Sequence, residues 1–532
     1  MVRIETRQKD VLKDKRIVFA IDSWPATSMF PLGHYVRTLG TIGDKETETQ
    51  VLLLEHDIPT REFSAAVMAC LPPADYAITP ENSVGRTDLR HLDVCSIDPP
   101  GCKDIDDALH ARRLDNGNIE VGVHIADVTH FVHHDSAIDR EAADRANTTY
   151  LVERRLDMLP GLLTEKLCSL KGNVDRFAFS VTWEMDADFN PVKESFCKSI
   201  IHSRAAMTYA EAQTLLDDTS KTDAISDGVR MLHSVAKVLR QRRIDAGALT
   251  LASPEVRFEM DSETHDPLDV KAYQLLETNA LVEEFMLLAN ITVARKITSS
   301  FPKLAVLRRH PPPSRRRFDE LLAAAASVGI TLEVDSSKAL ADSLDRAVDD
   351  ANPLLNKLLR ILTTRCMQQA VYFRTSEVSE QEYMHYGLAS PIYTHFTSPI
   401  RRYADVVVHR LLAAAIGIAS VPEDYEDKEK MLQLTSNMNQ RHLMAQLAGR
   451  ASVALHTHIF FKNKVEVTDG LVMKVRKSGA IVFIPRFGIE GIVYLYHRKN
   501  KAAEGQFELQ DNDHLLVYKP DPSLKLRIFD KV

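Results

Sequence analysis

The sequence predicts an α+β fold in which one large mixed domain lies between two small β-barrels of the OB type. Three observations carry that expectation. Short strand-like runs broken by glycines occupy both ends of the chain, a hairpin with an Asn-Gly turn opens the middle, and long helical runs free of Gly and Pro follow it. The 532 residues, 45% hydrophobic and 26% charged, suffice for a large buried core and several domains. The same composition excludes disordered, collagen-like and coiled-coil chains.

Residues 16–56 read as three strands, RIVFAID, GHYVRTLGTIGD and TQVLLLEH, punctuated by Gly33, Gly40 and Gly43. With a linker at Leu71–Arg86 they define a first barrel over residues 1–83. The middle unit, residues 84–455, begins with ALHARRL, the turn Asp115-Asn116-Gly117-Asn118, and IEVGVHIADV. Asn-Gly supplies the positive φ angles that a tight hairpin turn needs. LVEEFMLLANITVARKI and the stretch Leu354–Phe373 read as buried helices, and a charged helix near Glu423–Leu455 leads out. Residues 456–532 return to β character, with Gly470, Gly479, Gly488 and Gly491 as turn points. About four strands are countable there, where an OB barrel closes with about five, so this last barrel is expected to be truncated.

Lys+Arg 66 against Asp+Glu 74 leaves a net charge of −8, so any nucleic-acid surface has to be local. The six cysteines include no C-x-x-C pair and read as thiols of a reducing compartment. The N-terminal MVRIETRQKDVLKDKR has no apolar h-region, and LLAAAIGIA after Arg410 is too short to span a bilayer. The expectation is an intracellular protein with no membrane contact.

The densest chemistry is Asp98-Pro-Pro-Gly-Cys-Lys-Asp104-Ile-Asp106-Asp107, on a Pro-Gly loop that leads into the hairpin. Two carboxylates about 5 Å apart repel by roughly 3 kcal/mol at an effective dielectric of 20. Such a cluster is either a solvated acidic loop or a site for a hard divalent cation, Mg²⁺ or Mn²⁺. An EF-hand fails: counted from Asp104, position six is Leu109 instead of Gly and position twelve is Asp115 instead of Glu. The histidines of HIADVTHFVHH (His124, His130, His133, His134) lack a cysteine or second pair at zinc spacing and read as packed residues.

A second dense segment runs from His385 to His409 and interleaves aromatic, hydroxyl and guanidinium groups, including Tyr393, Arg401, Arg402 and Asp405. It suits base stacking and phosphate binding, or else a helix start after Pro399 with a salt-bridged Arg pair. The run LRRHPPPSRRRF (Arg308, Arg309, Arg315, Arg316, Arg317) reads first as a solvated loop, with RNA-backbone contact as its functional alternative.

These two segments resemble the magnesium motif D-x5-D-x-DD and the signature of the ribonuclease II (RNB) family. Further similar blocks are DLRHLDVCSIDPPGCKDIDDALH, VGVHIADVTHF, TTYLVERRLDMLP, GALTLASPEVRF and LVEEFMLLAN. The resemblance implies an RNB catalytic domain flanked by OB-fold, cold-shock-like RNA-binding domains. It implies processive hydrolytic 3′→5′ exoribonuclease activity that degrades single-stranded RNA to nucleoside 5′-monophosphates in RNA processing and decay. One or two Mg²⁺, with Mn²⁺ as a substitute, would be held by Asp98, Asp104, Asp106 and Asp107. Asp106, Asp107 and Arg401 would be catalytic, with Asp106 the first choice for an essential residue. Tyr150 would stack on the 3′-terminal base, Tyr209 and Glu283 would read ribose, and Arg401 and Arg402 would hold RNA. The register between Glu283 and Glu284 stays open.

Gln446 stands where bacterial members carry Glu and is given no role. The chain is most similar to the family's exosome branch, whose members carry an upstream endonuclease domain and a further OB fold. Neither is seen in this sequence, which weakens the implied docking to an exosome core. The branch permits nucleus and cytoplasm alike. The rival from another class is a catalytically inactive RNA-binding scaffold of the same fold, which loss of an aspartate would mark; all four are present.

Overall fold

A computed structural model of the chain describes residues 1–252, 256–260, 267–272, 275–496, 505–511 and 513–532. The block GALTLASPEVRF falls partly on residues outside that set. The centre of the molecule is a sheet that closes on itself. In spatial order its strands are Asp175–Met185, Ile119–Ala126, Asp107–Arg113, Val94–Asp98, Pro191–Thr208 and the short Thr87–Asp88, and the first also pairs with Pro191–Thr208. The Asn-Gly hairpin forms as expected: Gly117 has φ 86°, and the Leu114 N–H donates to the Asn118 carbonyl at 2.8 Å.

Along the paired strands Ile119–Ala126 and Asp175–Met185, Val121, Val123, Ile125, Phe179, Val181 and Trp183 are fully buried on one face and Ala126, Ala178 and Ser180 on the other, as strands packed on both sides require. Against them pack helix Glu277–Ser300, through Phe285, Ala289 and Val293, and helix Tyr403–Ala415, through Val407 and Leu411. Each buried Val, Leu or Phe among them contributes about 1.5–3 kcal/mol by leaving water. A second core joins helices Asp319–Ala326, Ser337–Arg346 and Leu355–Cys366 to Leu471, Met473 and Phe483 of the C-terminal unit.

Three sequence expectations are corrected. TQVLLLEH is not a strand: Lys45–Glu55 is a helix capped by Asp44, which accepts the Thr47 N–H at 2.9 Å. Its Leu52 and Leu53 bury against Leu151 and Ala448, so tertiary packing decides what a short leucine run leaves ambiguous. The helix lies so close to strand Leu32–Thr41 that a Cβ on Gly40 would meet Thr47 Oγ1 at 2.1 Å. The N-terminal sheet therefore has three strands, Arg3–Ile4, Leu32–Thr41 and Lys15–Ser23 in that spatial order.

The helix expected over Leu354–Phe373 ends at Cys366. Val371–Arg374, β-branched and aromatic, instead pairs antiparallel with Val306–Arg309. The C-terminal unit has six described strands rather than about four: Leu471–Arg476, Gly479–Ile484, Ile489–Tyr494, Phe507–Gln510, Leu515–Tyr518 and Lys525–Arg527. Its last residues pair back, with the Gly470 and Val532 backbones exchanging bonds of 2.8 and 2.9 Å. The strand count on which the expected truncation rested is thereby corrected; the additional strands are short and sit in a polar stretch. The charged helix is found, longer than expected, over Lys428–Phe461.

Candidate functional site

The acidic loop is placed by strand pairing. Val94–Asp98 and Asp107–Arg113 are antiparallel neighbours, so the last residue of one and the first of the other lie at the same end of the ring. The loop between them turns at Gly101, whose φ of 77° suits glycine. It is held from behind, where the Ile105 N–H donates to Ser169 Oγ (3.1 Å) and Ser169 Oγ donates to the Lys103 carbonyl (2.7 Å). Asp98 lies in register with Thr208 on the parallel strand Pro191–Thr208. That residue caps helix Tyr209–Asp217 in a reciprocal box with Glu211, which sets Tyr209 beside the carboxylates.

All four aspartates line one cleft of about 980 Å³, together with Tyr150, Tyr209, Arg155, Ser398 and Arg401. Asp106 is buried. Its Oδ1 accepts the Ile400 N–H at 2.9 Å, while Oδ2 has no hydrogen-bond partner and stands 3.5 Å from Arg401 Nε. Asp98 Oδ2 is likewise buried and unbonded. Burial, with the neighbouring Asp98 charge adding to it, pushes the Asp107 carboxyl up to about 8. Burial also lifts Asp98 to about 6, with Asp104 adding to it, and drives Asp106 well above the ordinary carboxylate range against the pull of Arg401. The buried Asp106 and the half-buried Asp98 and Asp107, with two orphaned oxygens between them, make an all-oxygen donor set that suits a hard divalent cation. Among the described residues no group of three His, Cys, Asp or Glu side chains is already arranged to hold an ion. Asp104 is drawn aside from the other three: Arg155 Nη1 donates to its Oδ1 at 2.5 Å and the Tyr150 hydroxyl to its Oδ2 at 3.1 Å.

Arg155 is the cleft residue that sequence reasoning missed. Its guanidinium also meets Asp157 (2.5 Å) and Glu165 (3.1 Å), so one cation serves three carboxylates. No local pattern in ERRLDMLP marks it, because two of its three partners lie outside that run.

The opposite wall is the segment Ser398–Arg402. Arg401 is 42% exposed into the cleft and donates to Ser398 Oγ at 3.1 Å. Its neighbour Arg402 does not line the cleft. Its fork closes on the fully buried Asp405 through two 2.8 Å bonds, and Asp405 also accepts the Ser398 N–H at 2.7 Å. Backbone bonds tie this wall to the strand that carries Tyr150: the Thr148 N–H donates to the Arg401 carbonyl (3.0 Å) and the Tyr403 N–H to the Ala146 carbonyl (2.8 Å). Tyr150 is 46% exposed, a ring face open to the cleft.

Glu283 and Glu284 separate clearly. Glu284 is buried and takes both Arg243 Nε (3.1 Å) and Nη2 (2.5 Å), whereas Glu283 is 55% exposed with Arg243 at 3.4 Å. Val282, rather than Glu283, lines the cleft itself. Gln446 is exposed on helix Lys428–Phe461. His124 is fully buried and bonded to His110 (2.8 Å) and Ser180 Oγ (2.7 Å), a packed residue as expected. The run LRRHPPPSRRRF is only partly a solvated loop. Arg308 is buried over the Tyr372 ring, 4.6 Å from its centroid, and Arg309 pairs with Glu382 at 3.2 Å, while Arg315 and Arg316 are exposed.

A mixed fold with a carboxylate cleft at the end of a closed ring of strands, between two OB-type flanks, defines a class. The chain belongs to the RNB family: residues 86–418 match the RNB domain, residues 1–57 a Dis3-like cold-shock domain 2, and residues 466–532 an S1 domain. It is similar to the exosome complex exonuclease RRP44 homolog A of Arabidopsis thaliana, 54% identical over 533 residues covering 100% of this chain and 57% of that protein. It is also 53% identical to the exosome complex exonuclease RRP44 of Homo sapiens, over 100% of this chain and 55% of the relative. The chain thus spans little more than half the length of these curated relatives. Among solved structures, Mycoplasma genitalium RNase R in complex with ribose-methylated single-stranded RNA superposes with a TM-score of 0.83 at 21% identity, covering 98% of this chain and 80% of that one. Yeast Ssd1, described as a pseudonuclease, superposes at 0.77 with 25% identity, over 96% of this chain and 63% of that one.

Proposed function

We propose that this chain is a divalent-metal-dependent hydrolytic 3′→5′ exoribonuclease, acting processively on single-stranded RNA and releasing nucleoside 5′-monophosphates. The observation that carries the reading is one cleft in which Asp98, Asp104, Asp106 and Asp107 face an exposed Arg401 and an open Tyr150 ring. The names of its relatives agree with it. Because one structural neighbour of this fold is called a pseudonuclease, the fold alone does not carry the activity; the intact carboxylate set does.

Asp98, Asp106 and Asp107 would hold Mg²⁺, and Asp104 would join them by leaving Arg155. Bound there, the ion supplies charge neutralisation and a water of lowered pKa. The chain's own groups do the rest. Arg401 binds the scissile phosphate and stabilises the charge that develops on it. Tyr150 stacks on the terminal base, worth about 1–3 kcal/mol and indifferent to sequence. Tyr209 lines the cleft, and the exposed Glu283, next along the helix from the cleft-lining Val282, would reach the ribose, where a carboxylate accepting the 2′-hydroxyl favours RNA over DNA. We take residues 84–455 as the catalytic unit and the flanks 1–83 and 456–532 as RNA-binding modules. No described helix is long and apolar enough to cross a membrane. We place the protein inside the cell, in nucleus or cytoplasm, with an exosome core as its partner of association.

The test is product analysis with 3′-end-labelled single-stranded RNA and Mg²⁺. The expected result is release of the label as a nucleoside 5′-monophosphate in the first turnover, with an all-deoxy strand inert. Label released as a longer oligonucleotide, or a deoxy strand cut equally well, contradicts the reading.

A further inference from the structure

The chain carries a net charge of −8, yet its cations are not spread evenly. A groove of about 870 Å³ opens between the segment Arg315–Ala326, helix Leu355–Cys366 and the C-terminal barrel, and it shares no lining residue with the catalytic cleft. Six Lys and Arg side chains face it against three carboxylates: Arg316, Arg317 and Arg365 from the helical side, and Lys474, Arg476 and Lys477 from the barrel. Two sequence-distant segments therefore bring like charges to opposite rims, a repulsion that the lining carboxylates Asp319, Glu320 and Asp513 offset only in part.

Not all of these charges are available. Lys474 pairs with Glu320 at 2.8 Å, Arg365 pairs with Glu490, and Arg317 donates to the Met367 carbonyl at 3.1 Å. Arg316, Arg476 and Lys477 are exposed, and their side chains make no hydrogen bond or ion pair among the described residues. The groove floor is aliphatic and sulfur-bearing, with no Phe, Tyr or Trp and His514 as the one ring among its lining residues. The grip it offers is on charge, in forks that match phosphate oxygens.

We propose that this groove is a second track for RNA: it binds the phosphodiester backbone of the strand upstream of the 3′ end that occupies the cleft, without regard to sequence. This rests on RNA being the substrate proposed above. An acidic protein face is the other partner that fits the charge, and the experiment separates the two.

The experiment measures anisotropy of 5′-labelled single-stranded RNA of about 30 nucleotides, long enough to leave the cleft and reach a second site, in EDTA over a range of salt. It compares the full chain with the triple variant Arg316→Ala, Arg476→Ala, Lys477→Ala. A tetranucleotide with Mg²⁺ reports turnover in the cleft alone. Loss of three phosphate contacts lowers the slope of log affinity against log salt by about 2 and weakens binding about 100-fold at 0.1 M salt. Tetranucleotide turnover stays at the parent's level, and the variant Arg316→Lys, Arg476→Lys keeps the long-RNA affinity, so lost charge and not lost fold is read. Long-RNA binding by the triple variant within about 2-fold of the parent, with the same salt slope, overturns the proposal and leaves the groove to an acidic protein. If the parent turns over neither RNA yet the triple variant still loses long-RNA binding, the track stands and the catalytic reading falls.

Discussion

Replacing Asp405 by asparagine removes one charge from a pair on which the arginine wall of the cleft hangs. Asp405 is fully buried, takes both arms of Arg402 at 2.8 Å and accepts the Ser398 N–H at 2.7 Å. The segment so fixed presents Arg401 to the cleft and the Ile400 N–H to Asp106. Leaving a buried guanidinium without its counter-charge costs about 3–5 kcal/mol, and asparagine, which can still accept from Ser398, should fall near the lower end. Spread over the unfolding entropy of a domain spanning residues 86–418, a loss of about 3 kcal/mol lowers the melting temperature by about 4 °C. The consequence for chemistry is larger, because displacing a catalytic group by about 1 Å costs roughly 100-fold in rate. Calorimetry and single-turnover hydrolysis should show both effects, with KM for RNA little changed. The double variant Arg402→Met, Asp405→Leu should melt above the Asp405→Asn protein, since removing both charges leaves none buried alone. An Asp405→Asn protein that melts within about 1 °C of the parent and keeps its rate would refute the argument that this pair holds the wall.

Asp127 gives a test in pH. Burial alone would raise its carboxyl, but Lys198 and Arg86 more than offset that and hold it below the usual carboxylate range. Its contribution to stability is therefore full above about pH 4, where the unfolded chain is also ionised, and is lost as pH falls toward the folded value; the gap in melting temperature between parent and Asp127→Asn should narrow below about pH 4, and a gap constant from pH 7 to pH 3 contradicts the linkage. Tyr150→Leu removes the open ring and should weaken binding of the RNA 3′ end by about 10–100-fold, with phosphate contacts intact; equal affinity in a binding assay would remove Tyr150 from the base-stacking role. Arg155→Met strips the shared cation from Asp104, Asp157 and Glu165. Its melting temperature should fall, and Mg²⁺ should restore more of it than it adds to the parent, because released carboxylates attract the ion; equal Mg²⁺ shifts in both proteins would rule out competition between Arg155 and the metal.

What could be read from the chain in advance follows the range of the forces involved. The Asn-Gly hairpin and the acidic loop are local in sequence, so their chemistry is visible without a fold. Helix Glu277–Ser300 is long enough for its period to be read. TQVLLLEH is not, and only its burial against Leu151 and Ala448 makes it helical. Arg401 and Arg402 are identical neighbours on paper; the turn of the backbone sends one into the cleft and the other onto Asp405. Glu283 and Glu284 part for a similar reason, since one step along a helix rotates the side chain by about 100°, and only Glu284 faces inward to bond Arg243 Nε. Arg155 was invisible because its role depends on Asp104, which lies on another strand connection. The short C-terminal strands, in polar sequence, carry too few residues for alternation to stand out.

The most direct test of the central claim follows a 5′-labelled single-stranded RNA of about 30 nucleotides, long enough to span several binding positions, in Mg²⁺ with the parent chain and with Asp106→Asn. That substitution keeps the shape that accepts the Ile400 N–H and removes only the charge of the orphaned oxygen. The account predicts a shortening ladder with the parent that ends in a product of a few nucleotides, no ladder with the variant or with EDTA, and undiminished RNA binding by the variant. A parent that binds the RNA and never shortens it, or a variant that shortens it as fast as the parent, would contradict the account.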